Sequence, residues 1–209
     1  ASSMGVDFSD YDRDGDVDLF VVDMLSRDLD LRKRQTPAQD LSDRLVNQGK
    51  YADQVMRNTL LNNRGDGSFA ELANLAGLSA SDWSWSPVFL DVDLDGYEDL
   101  IITAGHYKDT QDMDVNALIL TRQKPRDRSL SPKQRKLQFS REIMENNRLY
   151  PNLDLPILTF RNGGKGVFEE KTSQWGTGDK GIHHGMALAD LDLDGDMDLV
   201  VNNMNQEPG

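Results

Sequence analysis

Aspartate at every second position, interrupted by glycine and followed by β-branched residues, occurs three times in this chain. The copies are DYDRDGDVDLFV from Asp10, DVDLDGYEDLII from Asp91 and DLDLDGDMDLVV from Asp190. Carboxylates crowded this closely repel one another, so three copies of one arrangement point to a shared cationic partner. Hard cations such as calcium take roughly six to eight oxygens, and aspartates at alternate positions can wrap a tight loop around one ion. In the first loop Asp10, Asp12, Asp14 and Asp18 offer carboxylates and Asp16 a backbone carbonyl. In the second, Asp91, Asp93, Asp95 and Asp99 do the same, with the carbonyl of Tyr97. In the third, Asp190, Asp192, Asp194 and Asp198 repeat the set, with the carbonyl of Asp196. Gly15, Gly96 and Gly195 stand where such a loop must turn sharply. The loops contain no His or Cys, which argues against zinc, and magnesium prefers fewer protein ligands and retained waters. Calcium, one ion per loop and three in all, is the expected cofactor.

The first half of the pattern also fits an EF-hand, which needs a bidentate Glu at its twelfth position and a helix after it. Here that position is Val21, Ile102 or Val201, and the runs that follow (LFVVDM, LIITAG, LVVNNM) are short and β-branched. Short β-branched runs favour strands, so the EF-hand is rejected.

The elements that position these loops repeat as well. A shift of 99 residues lays NNRGDGSFAELANLAG over RNGGKGVFEEKTSQWG, pairing Asn63 with Asn162, Gly65 with Gly164, Gly67 with Gly166 and Phe69 with Phe168. Repeats of this length signal a propeller or solenoid. Each unit reads as four short strands, about 4–9, 18–23, 58–63 and 68–72 in the first and 84–90, 99–104, 157–162 and 167–171 in the second. A last pair is expected at about 184–189 and 198–203. Four antiparallel strands per repeat is the β-propeller blade, so the fold class is all-β, with helical insertions. Residues 1–209 read as a partial propeller. One blade covers 4–75 with an insertion at 24–57, a second covers 84–172 with an insertion at 105–156, and 184–209 is the first half of another. Two and a half blades cannot close a ring, so the chain, which starts at Ala1, is expected to be an excerpt of a longer protein.

These loops and hairpins resemble the FG-GAP/VCBS repeat family, the calcium-dependent propeller units also seen in integrin α-chains. The resemblance covers all three loops and both hairpins and leaves out mainly the insertions. The stretch DWSWSPVFLDVDLDGYEDLIITAGHYKD is similar to large exported bacterial proteins that pair such repeats with an ASPIC/UnbV-type module, though no such module is visible. The resemblance implies an extracellular or cell-surface protein, exported and in some members anchored to an outer membrane, that acts in adhesion or binding rather than catalysis.

In an up-and-down blade the acidic loops and the insertions emerge from opposite faces. The first insertion carries a helix signature in Thr36, Pro37 and Gln39, with Gly49 past the end and Leu41 and Leu45 on one stripe. The second repeats it from Ser131 through Pro132 to Gln134. Long insertions in a compact repeat either bind a partner or cap a surface, and the sequence leaves both open. From Arg122 to Arg141 eight basic residues stand against one Asp. Arg122, Lys124, Arg126, Arg128, Lys133, Arg135 and Lys136 form either a solvated helix face or a patch for an anionic glycan or protein. Trp83 and Trp85 alternate with Ser and should share one side of a strand, with packing between blades favoured over sugar stacking. His183 and His184 open a later strand, where a packing or surface role is favoured over metal or catalytic use.

The net charge of −13 comes largely from the loops, and three divalent ions would bring it to −7. An acidic chain is a poor nucleic-acid binder, so no nucleic acid is expected as a partner. No run reaches the length of a membrane span. There is no cysteine, so disulfides and thiolate metal sites are ruled out. The leading expectation is a calcium-stabilised extracellular propeller that binds a protein or carbohydrate. Two alternatives stay open, a structural spacer within a large surface protein and a polysaccharide-processing enzyme using paired carboxylates. No catalytic residues are assigned.

Overall fold

Each β-branched run that follows an acidic loop becomes the second strand of an antiparallel sheet, because alternating side chains on a strand can bury both faces between neighbours. The computed structural model describes residues 3–35, 56–122 and 129–204. Strands β1 (Gly5–Ser9), β2 (Asp18–Val22), β3 (Thr59–Asn63) and β4 (Phe69–Glu71) form one four-stranded sheet in chain order. Strands β5 (Ser84–Leu90), β6 (Asp99–Ala104), β7 (Leu158–Asn162) and β8 (Phe168–Glu170) form a second. Strands β9 (His183–Ala189) and β10 (Asp198–Asn203) pair as a third. Every strand end lies within one residue of its expected position. The register repeats too, with Leu19 opposite Phe8 and Leu61, and Leu100 opposite Phe89 and Phe160.

The sheets stack through their faces, β1 against β5 and β5 against β9. Phe89 N donates to the Asp7 carboxylate at 2.8 Å, and Thr103 Oγ1 donates to the His184 carbonyl at 2.6 Å, so side chain–backbone hydrogen bonds join each sheet to the next. The approach is close enough that a Cβ on Gly5 would collide with the Trp85 carbonyl and the Pro87 ring. Between the first two sheets lies one apolar core. Phe20, Val22 and Leu60 meet Phe89, Leu100, Ile102, Leu158, Phe160 and Phe168, and Phe20 sits edge-on to Phe89 with ring centroids 6.2 Å apart. Trp83, just before β5, and Trp85 both stack on His106, and Trp85 also reaches His184 on β9, so Trp85 packs between sheets.

The opposite face of the first sheet is different. Phe8 is 62% exposed where its counterpart Phe89 is 9% exposed, and Phe69 is 51% exposed where Phe168 is 6%. Val6 is exposed as well, while its counterpart Pro87 is buried. This apolar face has no sheet against it among the described residues.

The acidic loops and the β3–β4 and β7–β8 hairpins lie at one end of the sheets, and the insertions leave from the other. Helix α1 (Leu29–Gln35) starts on Asp28, whose carboxylate accepts from Asp30 N and Leu31 N at 2.8 Å each. Helix α2 (Met113–Arg122) starts likewise on Asp112, at 3.0 Å to Asp114 N and Val115 N. Helix α3 (Pro132–Asn147) has the capping box expected at Ser131 and Gln134. The expected helix from Thr36, with Pro37, Gln39, Leu41, Leu45 and Gly49, lies outside the described residues. The roots of the two insertions meet, since Gln35 Nε2 donates to Asp109 at 2.9 Å and Arg34 pairs with Asp112 at 3.4 Å. Among the described residues no helix is long and apolar enough to cross a membrane.

Candidate metal centres

The three acidic loops join β1 to β2, β5 to β6 and β9 to β10, and they share one backbone course. Gly15, Gly96 and Gly195 have φ of 95°, 95° and 101°, a left-handed conformation that glycine adopts without steric cost. Two residues earlier, Arg13, Leu94 and Leu193 are also left-handed, with φ of 59°, 56° and 63°. A non-glycine residue there costs about 1–2 kcal/mol, so the same strained position in three loops marks a geometry imposed by the loop as a whole. The first aspartate holds the turn each time. Asp10 accepts from Gly15 N at 3.0 Å, Asp91 from Gly96 N at 2.9 Å and Asp190 from Gly195 N at 3.2 Å.

Two oxygens that share one calcium at about 2.4 Å each lie no more than about 4.8 Å apart. One carboxylate oxygen from each of Asp10, Asp12 and Asp18 meets this limit, as do one from each of Asp91, Asp93 and Asp99 and one from each of Asp190, Asp192 and Asp194. Asp14, Asp95 and Asp198 stand outside these triads. Asp14 and Asp95 instead accept the amides of Asp16 and Tyr97, at 2.9 and 3.0 Å, and Asp198 accepts from Leu191 N at 2.8 Å. The side chains at the expected carbonyl positions point to the neighbouring hairpins in two loops. A Cβ on Gly65 would stand 2.5 Å from Asp16 Oδ2, and one on Gly164 the same distance from the Tyr97 ring.

The donor set suits a hard cation. Asp10 Oδ1, Asp18 Oδ2 and Asp190 Oδ1 are buried oxygens without a hydrogen-bond partner, and Asp18 as a whole is fully buried. An unpartnered buried carboxylate oxygen is costly unless a proton or a cation joins it. Burial pushes the Asp18 carboxyl up to about 6, with Asp12 and Asp14 adding to the rise and the Asn63 amide opposing it. Burial likewise raises Asp99, and the charge of Asp194 raises Asp196. These are oxygen-only, carboxylate-rich clusters, which fit calcium and lack the nitrogen or sulfur ligands of zinc.

Sequence reasoning missed the residues that clamp the loops. Asn63 N donates to Asp18 Oδ1 and Asn162 N to Asp99 Oδ1, both at 2.8 Å, so the end of β3 or β7 fixes the last aspartate of each loop. Their side chains also repeat each other, reaching the carbonyls of Val17 and Glu98 at 3.2 and 3.1 Å. Asn162 goes further and donates to the Tyr11 carbonyl in the first loop at 2.7 Å. The signal was in the repeat, where the two asparagines align, but their role depends on partners far along the chain.

The basic run is spread out. Arg122 ends α2, Lys133, Arg135 and Lys136 are exposed on α3, and Lys124, Arg126 and Arg128 lie outside the described residues. A groove of about 590 Å³ between α2 and α3 carries Arg122 and Arg141, but also Glu142 and Glu145, so its charge is mixed. His183 is buried with Nδ1 on Asn203, and burial lowers the His184 pKa, so both are packed rather than gathered with acidic residues.

Comparison with known families finds the FG-GAP-like repeat in residues 45–102 and 151–201, together more than half of the chain. Each match runs from the β3 or β7 side of one unit through the acidic loop of the next, so the second and third loops lie inside it. No curated protein matches the chain.

Proposed function

The chain belongs to the FG-GAP-like repeat family, and from that premise we propose that it is a calcium-stabilised stretch of β-propeller. In this reading it acts outside the cell as a scaffold for adhesion or for binding a protein or carbohydrate ligand. The observation that carries the calcium assignment is the set of unpaired buried oxygens on Asp10, Asp18 and Asp190 within carboxylate triads. Asp10, Asp12 and Asp18, with their counterparts in the other loops, would hold the ion. Asp14, Asp95 and Asp198 and the carbonyls of Asp16, Tyr97 and Asp196 complete the candidate shells. Bound calcium would supply the positive charge that these carboxylates lack. Extracellular modules bind calcium at roughly 10⁻⁴ to 10⁻³ M, so such loops fill outside the cell and stay empty in the cytosol.

The uncovered face of the first sheet supports a propeller with at least one more blade. Phe8, Phe69 and Val6 occupy positions whose counterparts are buried against the preceding sheet. Burying a Phe or Val side chain stabilises by about 1.5–3 kcal/mol, so this face favours a sheet of its own. The loop aspartates are fully used as metal ligands and hairpin anchors, and the reading assigns the chain no reaction. The insertions, at the end of the sheets away from the calcium loops, are the candidate surface for the ligand.

The test is thermal melting of a preparation shown to be metal-free. Calcium should raise the melting temperature clearly, and magnesium should restore little of the gain. Melting that is the same with calcium and with chelator overturns the reading.

A further inference from the structure

The three loops share a sequence pattern and a backbone, yet the strand that clamps each of the first two sets a residue of different charge against it. Position 62 of the first unit aligns with position 161 of the second, and the residues there are Asn and Arg. Asn62 donates from Nδ2 to Asp12 at 2.7 Å and to Asp18 at 3.3 Å, leaving the loop's charge unchanged. Arg161 instead lays its guanidinium across the second loop, with Nε on Asp93 and Nη2 on Asp95. These are the third and fifth positions of the loop, two of its candidate ligands.

The state of the remaining oxygens follows the same division. In the first loop Asp10 and Asp18 each keep a buried oxygen without a partner, and in the third Asp190 does. In the second loop no pattern aspartate does. Asp91 accepts from Asp95 N and Gly96 N at 3.0 and 2.9 Å, Asp99 accepts from Val92 N and Asn162 N at 2.9 and 2.8 Å, and Arg161 takes Asp93 and Asp95. A second guanidinium stands close by. Arg13, from the first loop, lies over the Tyr97 ring at 5.1 Å and against Gly96.

We propose that Arg161 is a tethered counter-cation of the second loop, so that this loop binds calcium more weakly than the first and third. The inference rests on the reading of the loops as calcium sites. A metal ion and the guanidinium draw on the same two carboxylates, Asp93 and Asp95, and repel each other, so loading the second loop requires Arg161 to give way. A charge-assisted, two-pronged contact of this kind, partly open to solvent, should weaken the site by about tenfold. Without metal, the same contact should give the second loop an ionic support that Asn62 does not give the first.

The experiment is calcium titration by calorimetry on the metal-free chain, paired with melting in chelator. Wild type should show one class of sites about tenfold weaker than the rest. Arg161→Asn, which installs the residue found at position 62, should tighten that class by about tenfold and lower the melting temperature in chelator, but not in saturating calcium. An Arg161→Asn isotherm identical to wild type, with calcium bound in both, overturns the inference and leaves the calcium reading standing. Failure of both proteins to bind calcium overturns both. Arg161→Gln, uncharged and of comparable reach, decides the matter should the Asn variant not fold. A tightened weak class supports the inference, and an unchanged isotherm overturns it.

Discussion

Asn162 ties two of the acidic loops together. It is fully buried, and its side chain donates to the Tyr11 carbonyl at 2.7 Å and the Glu98 carbonyl at 3.1 Å while accepting from Gly164 N at 3.0 Å. Asn162→Ala keeps the backbone bond to Asp99 and removes these three. At about 1 kcal/mol each the direct loss is about 3 kcal/mol, and buried partners left unpaired push it higher. Asn63 is the control. Its side chain makes two bonds, to the Val17 carbonyl at 3.2 Å and from Gly65 N at 3.1 Å, in a more exposed setting with no tie to another loop. Asn63→Ala should therefore cost about 1 kcal/mol, since water replaces part of what is lost. Urea denaturation of both variants in saturating calcium measures the difference directly. For a chain of this size a gap of about 2 kcal/mol also separates the melting temperatures by roughly 4–8 °C. Equal destabilisation by the two substitutions would refute the argument, because it would mean that the contact with Tyr11 carries no weight.

The other predictions concern charge. The Asp18 carboxyl stands at about 6 in the folded chain against 3.8 for an ordinary aspartate, so the fold favours its neutral form. In metal-free protein that contribution is fully present below about pH 4 and is lost as pH rises through about 6. Asp18→Asn, neutral throughout, should gain on wild type by about 1–3 kcal/mol between pH 4 and 7, after allowance for solvent screening. Urea denaturation in chelator measures it, and a constant difference between the two proteins across that range contradicts the assignment. Charge reversal of Lys133, Arg135 and Lys136, exposed on a helix with no buried residue, should move stability by no more than about 0.5 kcal/mol each. The same reversal should weaken an anionic ligand that docks on the insertions, read as loss of salt-sensitive binding in solution. Unfolding of that variant would show that the run is structural.

The strands and loops were legible because their chemistry is local. Alternate aspartates, a glycine and a β-branched run lie within about a dozen residues, and each feature constrains the next one along the chain. The left-handed residues Arg13, Leu94 and Leu193 gave no such signal, since nothing in an arginine or leucine marks a positive φ. Helices α1 and α2 were missed for a related reason. They begin on Asp28 and Asp112, and a single capping aspartate does not stand out in a chain so rich in aspartate. Ser131, followed by Pro132 and Gln134, was a fuller signature and was found. The clamps were out of reach for a different reason. Asn63 and Asn162 act on Asp18 and Asp99, which are 45 and 63 residues away, and only the sheet pairing of β2 with β3 and β6 with β7 brings them together.

That long-range layer is where three near-identical loops become unlike. The first is clamped by Asn63 and keeps two unpaired buried oxygens. The second is clamped by Asn162 and has its charge offset by Arg161. In the third, no residue among those described clamps Asp198 from a neighbouring strand, and Asp194 raises Asp196 through its charge first and a side-chain hydrogen bond second. Crowded carboxylates are relieved by protons, by cations or by spreading apart, and spreading is easiest where nothing holds the last aspartate. Without calcium, then, the repulsion that the shared pattern builds in should open the third loop first and the second last. Because Asn162 holds both Asp99 and the Tyr11 carbonyl, the first loop is braced by the loop whose charge Arg161 already offsets.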